Sequence, residues 1–237
     1  MKAYNGYIFD LDGTLLDSMG VWDQIDIDFL AKRGIDLPPD YMNAISSMTF
    51  HEAAAYTIKR FALPDSIDGL SGEWKDMAAY AYGHTVRMKP YAKDYLMALR
   101  ESGAKLAVAT SMFPELCGPV LRNNGIDNLF SIICNTNESG CGKSRPDVFL
   151  LAAKKLGVTP GDCLVFDDIL AAVKSAKSAG MGVCAVYDKT SENDWEEIKK
   201  TADYAILDFH GAPLPQTEKS FFSSVPGPQS PVPNKKE

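Results

Sequence analysis

The chain has 237 residues, with 31 Asp and Glu against 24 Lys and Arg, and a formal charge of −7. This acidic surplus argues against a nucleic-acid-binding surface, which needs clustered Lys and Arg to neutralise phosphates. No apolar run approaches the roughly 20 residues of a membrane-spanning helix, and the N-terminus lacks the pattern of a signal peptide, so we expect no membrane partner. With 46% hydrophobic residues, the chain is expected to bury a sizeable core.

The five cysteines are odd in number and contain no C-x-x-C pair. This usage favours reduced thiols over a disulfide framework or a zinc site. We therefore expect a cytoplasmic protein, and nothing in the sequence implies an obligate protein partner.

Short apolar runs bounded by turns recur along the chain and predict strands that are buried on both faces. These runs lie at residues 7–9, 106–110, 131–134, 163–166, 183–187 and 204–207. Segments with helical periodicity alternate with them, at residues 91–102 and 147–156 for example. Such alternation predicts an α/β fold with a Rossmann-like parallel sheet core covered on both faces by helices.

The stretch between the first two predicted strands is far longer than one crossover and has helical periodicity throughout. Apolar residues repeat at helical spacing from Val21 to Leu30, until Gly34 supplies a stop, and Leu70, Trp74 and Met77 mark a further helix. We therefore predict an inserted α-helical cap subdomain, called the cap below. The predicted division is core at residues 1–15, cap at 16–88, core again at 89–210, and a tail at 211–237.

The predicted tail is rich in Pro and Ser and poor in apolar residues. Residues 211–237 hold six of the 14 prolines, and the composition predicts a disordered segment.

Two acids come directly after the first predicted strand, Asp10 and Asp12 in FDLDGTLLDS, and Gly13 permits a turn there. In parallel α/β sheets, ligands bind at the carboxyl ends of the strands. A turn with solvated acids is the alternative. A calcium loop is disfavoured, because the glycine comes at the fourth position and Val21 would occupy the place of the bidentate Glu.

The segment DLDGTLLDS resembles the first motif of the haloacid dehalogenase superfamily, and later strand ends carry the other motifs in order. Thr110 stands where the family has a phosphate-binding Ser or Thr, and Lys143 in GKSRPDVF resembles the lysine of the third motif. Asp167 and Asp168 match the acidic fourth motif. The insertion after the first motif resembles the cap of the branch that includes β-phosphoglucomutase and many small-molecule phosphatases.

Phosphoryl transfer needs an in-line nucleophile, a proton donor for the leaving oxygen and positive charge over the phosphate oxygens. Asp10 can be the nucleophile, forming an aspartyl-phosphate, and Asp12 can act as general acid and then as general base. An acid two residues after the nucleophile separates phosphatases and phosphomutases from dehalogenases, as the resemblance implies. Thr110 and Lys143 complete the predicted catalytic set. The predicted phosphate-binding residues are Thr110, Lys143, Ser111 and Gly13.

Four carboxylates beside a dianionic phosphate would repel it without a cation. Mg²⁺ suits hard oxygen ligands, so we predict that Asp10, the Asp12 carbonyl and Asp168 hold it, with Asp167 binding directly or through water. The competing interpretation makes Lys143 a solvated loop lysine, and makes the paired acids caps of the following helix.

We thus predict a Mg²⁺-dependent phosphatase that acts on a small phosphorylated metabolite, either a sugar phosphate or a nucleotide monophosphate. The alternatives are a phosphomutase of the β-phosphoglucomutase type and a catalytically silent binding module of the same fold. Polar cap residues could select the leaving group, although amphipathic helices need such residues anyway. The candidates are His51, Arg60, His84 and Arg87.

Overall fold

The structure is a computed structural model, and it describes residues 3–45, 48 and 50–214. The strands are β1 (Gly6–Phe9), β2 (Leu16–Asp17), β3 (Arg87–Met88), β4 (Lys105–Thr110), β5 (Ile132–Asn135), β6 (Cys163–Asp167), β7 (Gly182–Val186) and β8 (Tyr204–Ile206). The helices are α1 (Val21–Ala31), α2 (Tyr41–Ile45), α3 (Phe50–Phe61), α4 (Ile67–His84), α5 (Ala92–Glu101), α6 (Pro114–Asn123), α7 (Thr136–Ser139), α8 (Asp147–Leu156), α9 (Leu170–Ser178) and α10 (Trp195–Thr201). Within the described ranges, no helix combines the length and the apolar character needed to cross a bilayer.

Six strands form one sheet in the order β5-β4-β1-β6-β7-β8, and every neighbouring pair in it is parallel. The predicted α/β class is therefore confirmed, and each predicted strand overlaps an observed one. The central strand is β1, where Phe9 pairs with Val108 on one side and with Phe166 on the other. The residues that follow these three strands consequently meet at one edge.

The side chains of β1 alternate between two apolar layers, as a strand covered on both faces requires. Tyr7 and Phe9 belong to the layer that includes Leu96 of α5 and Leu116 of α6. Ile8 points the other way, into the layer formed with α8 and α9. Both layers are continuous, so the helices hold the strand ends at fixed positions.

Helices α1 to α4 all lie in the insertion between β2 and β3, as the helical periodicity predicts. Helix α1 ends close to Gly34, whose φ of 69° is a left-handed conformation that glycine adopts without strain. The rings of Phe29 and Trp74 pack α1 against α4 at 5.6 Å between centroids. Helix α4 also contacts α6 of the core.

The chain enters and leaves the cap through two strands that pair with each other. In this antiparallel ribbon, Leu16 pairs with Met88 and Asp17 pairs with Arg87. The sequence did not predict this two-residue pairing.

A buried ion pair attaches the returning strand to the core. Lys89 donates its backbone N–H to the Leu15 carbonyl at 2.9 Å. Its Nζ lies 2.9 Å from Asp188 Oδ2 and donates to the Tyr187 carbonyl at 2.7 Å. Because both charged side chains are only 9% exposed, loss of either partner would leave a largely buried charge uncompensated.

Most of the predicted tail, residues 215–237, lies outside the described residues. The described part, residues 211–214, begins with the last residue of a short 3-10 helix, Phe209–Gly211, and packs on the core. Ala212 is buried, and the Tyr95 hydroxyl donates to the Pro213 carbonyl at 2.8 Å.

Asp26, a buried carboxyl in α1, is expected to make stability depend on pH. Burial raises the pKa of Asp26 to about 7, and the nearby charge of Asp23 acts in the same direction. Because an unfolded Asp titrates near about 3.9, folding stability falls as the pH rises from that value through about 7. Asp26→Asn should therefore raise the free energy of unfolding by about 4 kcal/mol at about pH 8, and by little at about pH 4.

Urea unfolding at the two pH values measures this difference. Asp28→Asn is the control, because Asp28 is exposed on the same helix. An equal pH dependence for native protein and Asp26→Asn would contradict the prediction.

Candidate active site

The carboxyl ends of three adjacent strands bring the predicted polar residues to one place. Asp10 directly follows β1, Thr110 ends β4 and Asp167 ends β6. The backbone N–H of Asp10 continues the ladder by donating to the Phe166 carbonyl at 3.0 Å. These side chains are buried, with Asp10 exposed by only 6%. The parallel topology thus explains why residues far apart in sequence share one site.

Lys143 lies between two of the buried acids. Its Nζ is 2.6 Å from Asp10 Oδ1 and 2.7 Å from Asp167 Oδ2. Burial of the ammonium lowers the pKa of Lys143, but the charges of Asp10 and Asp167 outweigh this effect, and its pKa lies above the usual value. Lys143 therefore remains charged at neutral pH, and the interpretation of it as a solvated lysine does not hold.

Asp10, Asp167 and Asp168 form a cluster of carboxylates whose ligand oxygens lie within 4.8 Å of one another. Burial, followed by the charge of Asp167, raises the pKa of Asp168 to about 8. Burial also raises the pKa of Asp167 to about 6, although Lys143 acts against this shift. The single ammonium of Lys143 does not neutralise all three buried carboxyl groups when they are ionised. The cluster is therefore suited to a second cation.

The buried acids also have the chemistry that a hard divalent cation prefers. Such ions bind several carboxylate and carbonyl oxygens at once. Asp10 Oδ1 is buried and makes no hydrogen bond, although it forms the ion pair with Lys143. Asp10, Asp167 and Asp168 are therefore the described side chains that could hold a metal.

Gly13 allows the turn after β1 to approach Asp168 closely. Its φ is +73°, and a Cβ atom at this position would lie 2.5 Å from Asp168 Oδ2. A larger residue would thus be strained and would also displace the carboxylate. The neighbouring Thr14 is fully buried, and its Oγ1 donates to Asp168 Oδ1 at 2.7 Å.

Asp12 receives two hydroxyl hydrogen bonds on one oxygen. Ser18 Oγ donates to Asp12 Oδ1 at 2.6 Å, and the Tyr82 hydroxyl donates to the same atom at 2.8 Å. Burial raises the pKa of Asp12 above its usual value, while these two hydrogen bonds act in the opposite direction. The first donor lies just after β2, and the second lies in α4 of the cap.

The predicted phosphate-binding residues lie at the carboxyl end of β4, in the loop before α8 and, for Gly13, in the turn after β1. Thr110 is buried, and its Oγ1 accepts a hydrogen bond from the Met112 N–H at 3.1 Å. Ser111 is exposed beside it. Ser175 of α9 donates to the Lys143 carbonyl at 2.6 Å, which fixes the backbone that presents the ammonium.

The cap candidates make different contacts. Arg60 is engaged within the cap, where Nη2 donates to Asp40 Oδ1 and Nη1 donates to the Tyr56 hydroxyl, both at 2.7 Å. His84 is exposed at the end of α4 and stacks on the Tyr80 ring. The remaining two candidates are also exposed, His51 in the first turn of α3 and Arg87 in β3.

Aromatic rings of the cap and the core meet near the predicted phosphate loop. Phe50 of α3 lies 5.7 Å from the Trp22 ring and 5.9 Å from the Phe113 ring, both in edge-to-face contact. Phe113 comes three residues after Thr110, and Trp22 comes four residues after Ser18. All three rings are half-buried. Two of them are therefore close along the chain to Thr110 and to Ser18, which contacts Asp12.

Four polar residues with site contacts were missed by the motif analysis. Thr14 and Ser18 lie within the first motif, so their position beside the acids was a usable signal. Ser175 and Tyr82 had no local signal, because each reaches the site through the folding of a distant helix.

Comparisons with known proteins agree with the order of these motifs. A family model described as haloacid dehalogenase-like hydrolase matches residues 4–180. The chain is 32% identical over 186 residues to the bifunctional riboflavin kinase/FMN phosphatase of Arabidopsis thaliana; the match covers 78% of this chain and 49% of that protein, about half its length. It is 28% identical over 195 residues to a proposed pseudouridine-5′-phosphatase of Drosophila melanogaster, covering 76% of this chain and 80% of that protein.

Solved structures share the architecture. A proposed β-phosphoglucomutase of Thermotoga maritima superposes with a TM-score of 0.76 at 21% sequence identity, covering 85% of this chain and 94% of the other. This likeness supports the α/β fold with a helical insertion.

Proposed function

The chain belongs to the haloacid dehalogenase-like hydrolase family, and from that premise we propose that it is a Mg²⁺-dependent phosphatase acting on a small phosphorylated metabolite. The observation that carries this proposal is the position of Lys143 between Asp10 and Asp167, with Asp168 beside them. Such an arrangement can accept a dianionic phosphate once a metal balances the remaining negative charge.

In the proposed reaction, a carboxylate oxygen of Asp10 attacks phosphorus and the ester P–O bond breaks. Asp12 gives its proton to the leaving oxygen. Water then attacks phosphorus of the aspartyl-phosphate, Asp12 takes a proton from that water, and inorganic phosphate leaves with Asp10 restored. Lys143 and Thr110 bind the phosphate oxygens, with Ser111 and the Gly13 turn beside them.

The proposed metal ligands are Asp10 and Asp168, the Asp12 carbonyl, and Asp167 directly or through water. When bound, Mg²⁺ would neutralise these carboxylates and polarise the phosphate oxygens. The raised pKa values of Asp167 and Asp168 support this assignment, because burial, and for Asp168 also the charge of Asp167, disfavours ionised forms that a bound cation would stabilise.

Of the two leaving-group classes, the half-buried rings of Trp22, Phe50 and Phe113 favour a nucleotide monophosphate over a sugar phosphate. A planar base gains about 1–3 kcal/mol by stacking its π face on an aromatic side chain, and a sugar ring has no π face. Two similar proteins are named for phosphates of planar ring systems, FMN and pseudouridine 5′-phosphate. Other similar proteins are named for carbohydrate phosphates, so the aromatic cluster is the observation that supports the nucleotide class.

Phosphate release from a panel of esters tests the function and its metal dependence. We expect release from nucleoside 5′-monophosphates and FMN with Mg²⁺, loss of release after chelation, and recovery when Mg²⁺ is restored. Phe113→Leu should change the ratio of KM values for nucleotide and hexose phosphate by about tenfold. Equal changes for both substrates would mean that the ring only packs the cap on the core.

The same panel separates the rivals. With a hexose 1-phosphate, a phosphomutase would produce the 6-phosphate, whereas a phosphatase releases inorganic phosphate. A silent binding module would release no phosphate from any ester, with or without Mg²⁺.

A further inference from the structure

Tyr82 connects the cap to the acid that follows the first strand. It lies near the end of α4, 70 residues from Asp12, and its side chain is 1% exposed. A buried tyrosine hydroxyl requires a hydrogen-bond partner, and here it donates to Asp12 Oδ1 at 2.8 Å. The phenol therefore has a defined direction, towards one oxygen of one carboxyl group.

A second hydroxyl also donates to Asp12 Oδ1, and the two hydrogen bonds together determine which carboxyl oxygen can carry a proton. Ser18 Oγ donates to the same oxygen at 2.6 Å. An oxygen that accepts two hydrogen bonds has both lone-pair directions engaged, so a proton on this carboxyl group must reside on Oδ2. The two hydroxyls can remain donors whether Asp12 is ionised or protonated. They consequently fix the carboxyl plane through both halves of an acid–base cycle.

The two donors come from different parts of the chain. Ser18 directly follows β2, whereas Tyr82 belongs to the cap helix α4, which also packs against α6 of the core. Any displacement of α4 from the core would remove the Tyr82 hydrogen bond and leave Ser18 alone. The orientation of Asp12 is thus linked to the position of the cap.

We propose that Tyr82 is a positioning residue that, by its hydrogen bond to Oδ1, holds Asp12 with Oδ2 directed at the leaving oxygen. This inference rests on the proposed phosphatase function. As the P–O bond breaks, the proton moves from Asp12 Oδ2 to the leaving oxygen, and Asp12 becomes a carboxylate that still accepts from Ser18 and Tyr82.

The test compares two esters in Tyr82→Phe, which removes only the hydroxyl. The leaving group of an alkyl phosphate is a strongly basic alkoxide, which needs a proton as it departs. The leaving group of 4-nitrophenyl phosphate is a stable phenolate, which can depart without one. We expect kcat/KM for the alkyl ester to fall by about tenfold or more, and kcat/KM for the aryl ester to fall by less than about threefold. The parameter kcat/KM is chosen because it reports the step in which the leaving group departs.

Tyr80→Phe is the matched control, because Tyr80 lies two residues earlier on α4 with 64% of its side chain exposed. It should leave both values unchanged. Ser18→Ala removes the other donor and should show the same selective loss, which provides a second measurement if Tyr82→Phe is unstable.

A loss of equal size for both esters, or no loss for either, would overturn the inference while leaving phosphatase activity established. Absence of phosphate release by the native protein from both esters would instead overturn the proposed function, and the inference with it.

Discussion

Asp10→Asn is expected to lower phosphate release by at least about 10³-fold, which corresponds to about 4 kcal/mol of transition-state stabilisation. An amide is a poor nucleophile for phosphorus, and it also removes the negative charge that Lys143 contacts at 2.6 Å. Release of inorganic phosphate from 4-nitrophenyl phosphate with saturating Mg²⁺ measures this loss. Asp17→Asn is the control, because Asp17 is an exposed acid on the same segment, in β2.

Trapping the intermediate separates a lost nucleophile from a disturbed site. With labelled substrate and an acid quench, the native protein should carry label that hydroxylamine releases, as an acyl phosphate does, and Asp10→Asn should carry none. The unfolding free energy of the variant, measured in urea, shows whether its fold is intact. Label retained on Asp10→Asn would refute the assignment of the nucleophile.

Lys89→Met is expected to lower the free energy of unfolding by about 3 kcal/mol, because it leaves the buried Asp188 carboxylate without its cation. Burial alone would raise the pKa of Asp188. Hydrogen bonds from Thr190 and the charge of the Lys89 ammonium have a larger, opposite effect, so the pKa of Asp188 lies below its usual value. Asp188 is therefore ionised at neutral pH, where urea unfolding should be measured.

Two variants make this prediction specific. Lys174→Met breaks an ion pair with Glu197 in which both side chains are more than half exposed, 53% and 56%, and should cost less than about 0.5 kcal/mol. Adding Asp188→Asn to Lys89→Met removes the isolated charge and keeps the oxygen that accepts from Thr190, so part of the lost stability should return. If Lys89→Met costs no more than Lys174→Met, the buried pair contributes little.

Much of the candidate site could be predicted because its residues lie in local motifs at strand ends. Asp10, Thr110 and Asp167 each end or directly follow a short apolar run, and parallel strands in register bring such positions to one edge. Lys143 is on a loop, and its place in the site followed from the resemblance of GKSRPDVF to a known motif, but its contact with Asp167 was not predicted. The strand–helix alternation similarly predicted the fold class.

Contacts between distant, unpatterned positions could not be predicted. The Tyr82 hydroxyl reaches Asp12 across 70 positions, and Lys89 reaches the Tyr187 carbonyl across 98. Hydrophobic periodicity indicates which face of a helix is buried, but it does not indicate which polar atom a buried hydroxyl or ammonium will meet. Such partners depend on how two helices or a helix and a sheet finally pack.

The ribbon of β2 and β3 also bears on how such a chain can diversify. Because Leu16 and Met88 are paired neighbours, the chain leaves the core and returns to it at one point, and the cap is inserted between these adjacent ends. A segment with adjoining ends can be shortened, lengthened or exchanged without opening the sheet. The acids and lysine at the strand ends can then remain the same while a new cap brings new selectivity. Inheritance of the reaction and inheritance of its specificity are thus separable in this architecture, except where a cap residue such as Tyr82 touches the reacting groups.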